Sequence, residues 1–182
     1  MTWQQGLLIA AVIGLFLAAQ WVGKKRSEDS RSARLMKRYE HMTADLLAQT
    51  ADDDLVDAVV SRVLAKAAQA RRPDPVATLA TLEHASTVVY SVWAVCKEMA
   101  AGDYDSLCAS PARELLEPAQ SAFEVIGAPA CAQALAALIA APDEDTQAAF
   151  RLAVQTECPL SLCVPYIRDH AEEFCDDTPM AD

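Results

Sequence analysis

The stretch "VATLATLEHASTVVYSVWAVCKEMAA", Val76 to Ala101, decides the fold class. Leu79, Leu82, Val89, Val92, Trp93, Cys96 and Met99 recur at about 3.6-residue spacing, which predicts one long helix with an apolar face. No glycine or proline interrupts it. Gly102 follows, where a left-handed residue closes a helix at little cost. The chain then enters an acidic, aromatic corner, "EMAAGDYDSLCASPAREL", Glu98 to Leu115. Ser110 with Pro111 restarts the helical pattern as a cap and a first-turn proline. The corner's shape follows from these local preferences: Tyr104 tucks inward while Asp103 and Asp105 stay in water.

The same punctuation continues on both sides. Toward the C-terminus, a helix containing Pro118 ends at Gly127. Pro129 opens "ACAQALAALIAA", which Pro142 closes. "DEDTQAAFRLAVQTEC" reads as an amphipathic helix with an acidic first turn, where Asp143, Glu144 and Asp145 complement the helix dipole. Pro159 and Pro165 frame a last short helix, "YIRDHAEEFC". Toward the N-terminus, "RRPDP" is a linker, because each proline disfavours helix in the residue before it. Before it, Leu55, Val56, Val59, Val60, Val63 and Leu64 form the buried face of a helix capped by Thr50 and begun by Asp52, Asp53 and Asp54. Ser30 to about Gln49 reads as one more helix, with Leu35, Met36, Tyr39, Met42, Leu46 and Leu47 as its stripe. Glycine is scarce, at 5 of 182 residues, which also favours helix over turn-rich sheet.

The first 23 residues differ. "GLLIAAVIGLFLAAQWVG", Gly6 to Gly23, contains one polar residue, Gln20. A helix of that length spans roughly 27 Å, near the thickness of bilayer hydrocarbon. Trp3 and Trp21 sit near its ends, and Lys24, Lys25, Arg26, Arg31, Arg34, Lys37 and Arg38 all follow it. The expectation is a single-pass anchor with its N-terminus outside and the rest cytoplasmic, at a cell inner membrane. A cleaved leader would carry its basic charge ahead of the apolar run. Gly6, Ala10, Gly14 and Ala18 share one face and suit close packing of two such helices. The expected organisation is an all-α chain: a transmembrane anchor over 1–23, a basic juxtamembrane helix and a second helix over 24–72, a multi-helix bundle over 73–177, and a tail over 178–182.

Formal charge is −11 and unevenly placed. Residues 1–50 carry 7 basic and 4 acidic side chains, whereas residues 101–182 carry 3 and 15. This balance excludes nucleic acid as a direct partner, because phosphate binding needs clustered Lys and Arg.

The order of features around the corner resembles the DNA-mimic-protein-like family. Glu98, Gly102, Tyr104 and Ser110 match or stand near that family's corner pattern. "AFEVIGAPACAQAL", Ala122 to Leu135, matches its following helix pair, and "YIRDHAEEF", Tyr166 to Phe174, its last helix. The resemblance covers about residues 76–175. It departs where the family reads Asn-Asn-Gly-Gly, since this chain has Ala100-Ala101-Gly102-Asp103. The resemblance implies an all-α domain, often dimeric, whose acidic surface in at least one lineage stands in for DNA phosphates. It implies no catalytic residue.

Two other chemistries have candidate residues. Cys158, Cys163, His170 and Cys175 form C-x4-C-x6-H-x4-C, a zinc-capable set, but a C-x2-C knuckle is lacking and His170 and Cys175 are spaced off one helical face. Cys96, Cys108 and Cys131 read as small core residues. Glu98, Asp103 and Asp105 are the candidates for a hydrolytic or metal-dependent centre. No phosphate loop, nucleophile elbow or dinucleotide fingerprint occurs. The expectation is therefore a non-enzymatic, cofactor-free protein-interaction module that contacts an unnamed protein or a second copy through Glu98, Gly102, Asp103, Tyr104, Asp105 and Ser110. A DNA mimic and an enzyme at the corner acids are its alternatives.

Overall fold

The long pattern through Val76–Ala101 folds as two helices. The computed structural model describes residues 31–70 and 73–176, and all their regular elements are helical. Helix α1 covers 31–38. Then come α2 (Ala44–Gln49), α3 (Asp52–Gln69), α4 (Pro75–Leu79), α5 (His84–Ala101), α6 (Tyr104–Ala109), a 3-10 turn (Pro111–Leu115), α7 (Leu116–Val125), α8 (Pro129–Ala140), α9 (Glu144–Glu157), α10 (Pro159–Asp169) and a final 3-10 turn (Ala171–Phe174).

The all-α expectation holds, and its transmembrane part is corrected. Among the described residues no helix is long and apolar enough to cross a membrane. The longest, α3 and α5, both carry charge, including Asp57, Arg62 and Lys66 within α3 and Lys97 and Glu98 near the end of α5. The expected anchor, with Gly6, Ala10, Gly14 and Ala18, lies outside the described residues.

Four boundaries differ from those the sequence suggests. Asp74 caps α4 by accepting from the Val76 and Ala77 amides, and a turn stabilised by Thr81 Oγ1 donating to the Thr78 carbonyl separates α4 from α5. The predicted Ser30–Gln49 helix breaks after residue 38, because Thr43 starts a new one by capping the Leu46 amide. Thr50 does not cap α3; its hydroxyl donates back to the Leu46 carbonyl, and the N-cap is Ala51. Pro165 lies inside α10 and does not start a helix. A proline there removes one internal bond and crowds the carbonyl four residues before it, a cost set against the packing of Cys163 and Ile167 on either side, both fully buried.

α5 is the central element. Its Val88, Val89, Val92, Val95 and Met99 lie in one core with Leu55 and Val59 of α3, Ala122 and Phe123 of α7, Leu135 and Leu138 of α8, Phe150 of α9 and Ile167 of α10. Tyr39, Met42 and Leu47 join the same core from the N-terminal side, and Phe174 from the C-terminal side. Phe123 and Phe150 meet edge to face with centroids 6.0 Å apart. Each such fully buried side chain stabilises by roughly 1.5–3 kcal/mol over exposure. Gly127, at φ 82°, reverses the chain from α7 to α8 in a conformation that a side chain would strain.

Candidate functional site

The corner comes first, because the sequence points to it. Gly102 ends α5 at φ −151° and ψ −144°, which is not the left-handed geometry expected of it. Its lack of a side chain serves a close approach: a Cβ there would lie 3.0 Å from the Ser106 Cβ. Asp103 caps α6, accepting from the Ser106 amide at 2.8 Å and from the Ser106 hydroxyl at 2.7 Å. These bonds hold its carboxyl below the usual carboxylate range. Tyr104 is half-buried against the core, and burial, then the neighbouring Cys108, raise its phenol. Leu107, two residues after Asp105 and fully buried in the core, is the residue that seats the corner. Asp105 is exposed. Ser110 accepts from the Ala112 amide and donates to the Leu107 carbonyl, so it caps the following 3-10 turn.

Two α9 residues complete the corner, and sequence reading missed both. Gln147 accepts from the Tyr104 amide at 3.1 Å, and Arg151 donates to the Gly102 carbonyl at 2.9 Å. Their helical spacing of four was a usable signal, since it puts both on one exposed face of α9. Glu98 does not converge with Asp103. It borders a cleft with Tyr90, Lys97 and Ser110, and the Tyr90 phenol there is pushed up to about 12 by burial and by the Asp74 and Glu98 charges. Among the described residues no group of three or more His, Cys, Asp or Glu side chains is placed to hold a metal ion.

The zinc candidates are likewise not brought together. Cys158 is exposed, takes the left-handed φ of 48° between α9 and α10, and donates to the Gln155 carbonyl. Cys163 is buried, and burial pushes its thiol up to about 12. His170 stacks on Tyr166 at 4.2 Å, with Nδ1 bonded to the Tyr166 carbonyl. Cys175 turns to the Ala171 carbonyl. All six cysteines are free thiols. Cys96 and Cys131 are buried, as expected of core residues, and Cys108 is half-buried.

Several acids of the C-terminal half serve as helix caps within the chain. Asp143 and Thr146 form a reciprocal capping box at α9. Glu157 accepts from the Ala130 and Cys131 amides at the start of α8. Glu173 accepts from the Ala85 amide at the start of α5. Each carboxylate meets backbone N–H groups that a helix leaves unpaired at its first turn.

A surface site away from the corner centres on Trp93. This side chain is half-buried and borders three clefts of about 460, 230 and 210 Å³. Its ring stands 5.4 Å from Tyr90 and carries the Lys97 ammonium 4.5 Å from its centroid. The largest of the three has an apolar floor of Val56, Trp93 and Val164, an exposed Leu160 at its side, and a rim of Asp52, Asp53 and Asp57. Arg31 of α1 reaches Asp57 at 3.3 Å and Asp54 at 3.9 Å, and Leu35 and Met36 line the adjoining cleft beside Trp93. In the sequence Trp93 reads only as one residue of the α5 stripe. Its open edge depends on how α3 and α10 flank it.

Comparison of the chain with family models, with curated proteins and with solved structures finds no match.

Proposed function

We propose that the chain is a non-enzymatic protein-interaction module whose contact face centres on Trp93. The observation that carries this reading is a large aromatic side chain at an open apolar floor, ringed by carboxylates. Interface hot spots favour that combination, a tryptophan anchor with charged groups at its edge. The occupant it fits is a protein segment with an apolar anchor beside Lys or Arg. Helix α1 already offers this chemistry in cis, as Arg31 pairs with Asp57 while Leu35 and Met36 line the cleft next to Trp93.

DNA mimicry ranks below this reading. A mimic needs carboxylates in open, phosphate-like rows that act at a distance. Asp103, Asp143, Glu157 and Glu173 point instead at helix amides of their own chain. An enzyme at the corner also ranks below it, since Asp103 is engaged as a cap and Glu98 borders a different cleft.

The test is comparative capture with the wild-type chain, Trp93→Ala, Asp53→Lys and Glu124→Lys, each first checked for native circular dichroism. The expected outcome is a defined protein retained by wild type and by Glu124→Lys and lost from the other two. If instead Glu124→Lys alone loses binding, and the wild-type chain displaces basic proteins from DNA only at low salt, the mimic is the correct reading.

A further inference from the structure

Asp176 follows the final 3-10 turn by two residues. It sits at a built carboxylate site. Its Oδ1 accepts from Arg62 Nη2 at 2.8 Å and pairs with Lys66 Nζ at 3.3 Å, while its Oδ2 accepts from the Met42 amide at 2.9 Å. Its own amide donates to the Met42 carbonyl at 2.8 Å. The Arg62 side chain is only 5% exposed. Its Nη1 has a long contact of 3.4 Å to Ser86, and its Nε–H is buried with no partner. A buried guanidinium is costly unless an anion faces it. Beside it opens a cleft of about 540 Å³, bordered by Lys66, Thr78, Thr81, Glu83 and Asp176.

We propose that Arg62, Lys66 and the Met42 amide form a carboxylate-binding site that the chain's own Asp176 occupies, and that a peptide carboxylate reaching in through the adjoining cleft exchanges with it. Three donors on one carboxylate, one of them from a buried Arg, are what recognition of an acidic residue requires. The cleft supplies the route, with Thr78 and Thr81 as uncharged polar groups along it. Two exposed acids at its rim, Asp74 and Glu83, disfavour diffuse binding of anions. An entering carboxylate is thus favoured only where it meets the guanidinium directly. This inference is independent of the Trp93 face, which lies on other residues.

The experiment is chemical rescue in the full chain. Asp176→Gly removes the resident carboxylate and should lower the thermal midpoint by on the order of 5 °C. In the wild-type chain, where Asp176 competes, N-acetyl-aspartate methylamide at high concentration should shift the Arg62 Nε–H resonance, and no shift would overturn the exchange. In Asp176→Gly, acetate should restore the midpoint saturably, whereas chloride at equal ionic strength should not. N-acetyl-aspartate methylamide, which repeats the backbone groups that Asp176 offers Met42, should restore it at lower concentration than acetate. A site for free small anions would instead show acetate equal or superior. Arg62→Lys in the same background should abolish the rescue. Should Asp176→Gly fail to fold, Asp176→Asn with acetate titration of the Met42 amide and Arg62 Nε–H resonances gives the same reading. Equal effects of acetate and chloride, or rescue that survives Arg62→Lys, would overturn the proposal.

Discussion

Arg151 of α9 donates to the Gly102 carbonyl at 2.9 Å, and so fastens the end of α5 to a helix that begins some forty residues later. The corner therefore has its shape from two sources. Local caps at Asp103 and Ser110 bend the chain, and Gln147 and Arg151 hold the bend in place. Arg151→Met should keep the stem and lose the bond. The expected cost is about 1 kcal/mol, as for other hydrogen bonds from charged groups near the surface. Amide exchange at Tyr104 and Ser106 should quicken while the centre of α5 stays protected. Unchanged exchange at the corner would mean that Arg151 is a bystander.

Leu107 and Tyr104 make a sharp pair. Leu107 is fully buried and Tyr104 half-buried. Leu107→Ala should cost roughly 2–5 kcal/mol, and Tyr104→Ala clearly less, about 1–2 kcal/mol. Urea denaturation of both variants checks the order. A larger loss at Tyr104 would show that the ring, not the leucine, seats the corner.

Asp176 titrates against a buried cation. Burial raises its carboxyl, but the hydrogen bonds from Arg62 and Met42 and the Arg62 and Lys66 charges outweigh that and hold it below the ordinary value. A carboxyl lowered on folding stabilises fully above its unfolded pKa, about 3.9. That contribution is lost as pH falls through the lower folded value. Stability should thus fall on the acid side below roughly pH 4. Asp176→Asn should flatten this limb and cost on the order of 2 kcal/mol at neutral pH. Guanidinium melts at pH 3 and pH 7 separate the two chains.

Glu157 caps α8 from the end of α9. Burial raises its carboxyl, yet the Cys131 and Ala130 amides bring it below the usual range. Glu157→Gln keeps one acceptor and should cost about 1 kcal/mol. By the same sign, the wild-type advantage over Gln should vanish as pH falls through the depressed folded value. An advantage that persists at pH 2 would point to packing in place of charge.

Much of the helical core was legible because burial follows period. Leu55, Val59, Val89, Val92 and Met99 were expected inside from spacing alone, and all are buried. Breaks were less legible. Nothing in "KRYEHMTAD" announces that Thr43 will outcompete a continuous helix, since Tyr39 and Met42 fit either arrangement and both are buried. Side chains that bridge distant segments were not legible at all. Arg62 and Lys66 read as the polar edge of α3, and only the position of Asp176 gives them a shared anion. Trp93 is the same lesson for the surface, because its stripe predicts burial and its flanking helices leave it partly open.

The Asp176 amide donates to the Met42 carbonyl and the Met42 amide to the Asp176 carboxylate across 134 residues of chain, and Arg168 donates to the Leu47 and Thr50 carbonyls across 121 and 118. Contacts of that separation are disfavoured early in folding, since closing so long a loop costs entropy before any bond repays it. The α5, α7 and α8 packing is nearer in sequence and can assemble first. The Met42–Asp176 clasp is then expected to close late on the way to the native state and to open early on the way out. A mutation there should speed unfolding and leave the refolding rate almost unchanged.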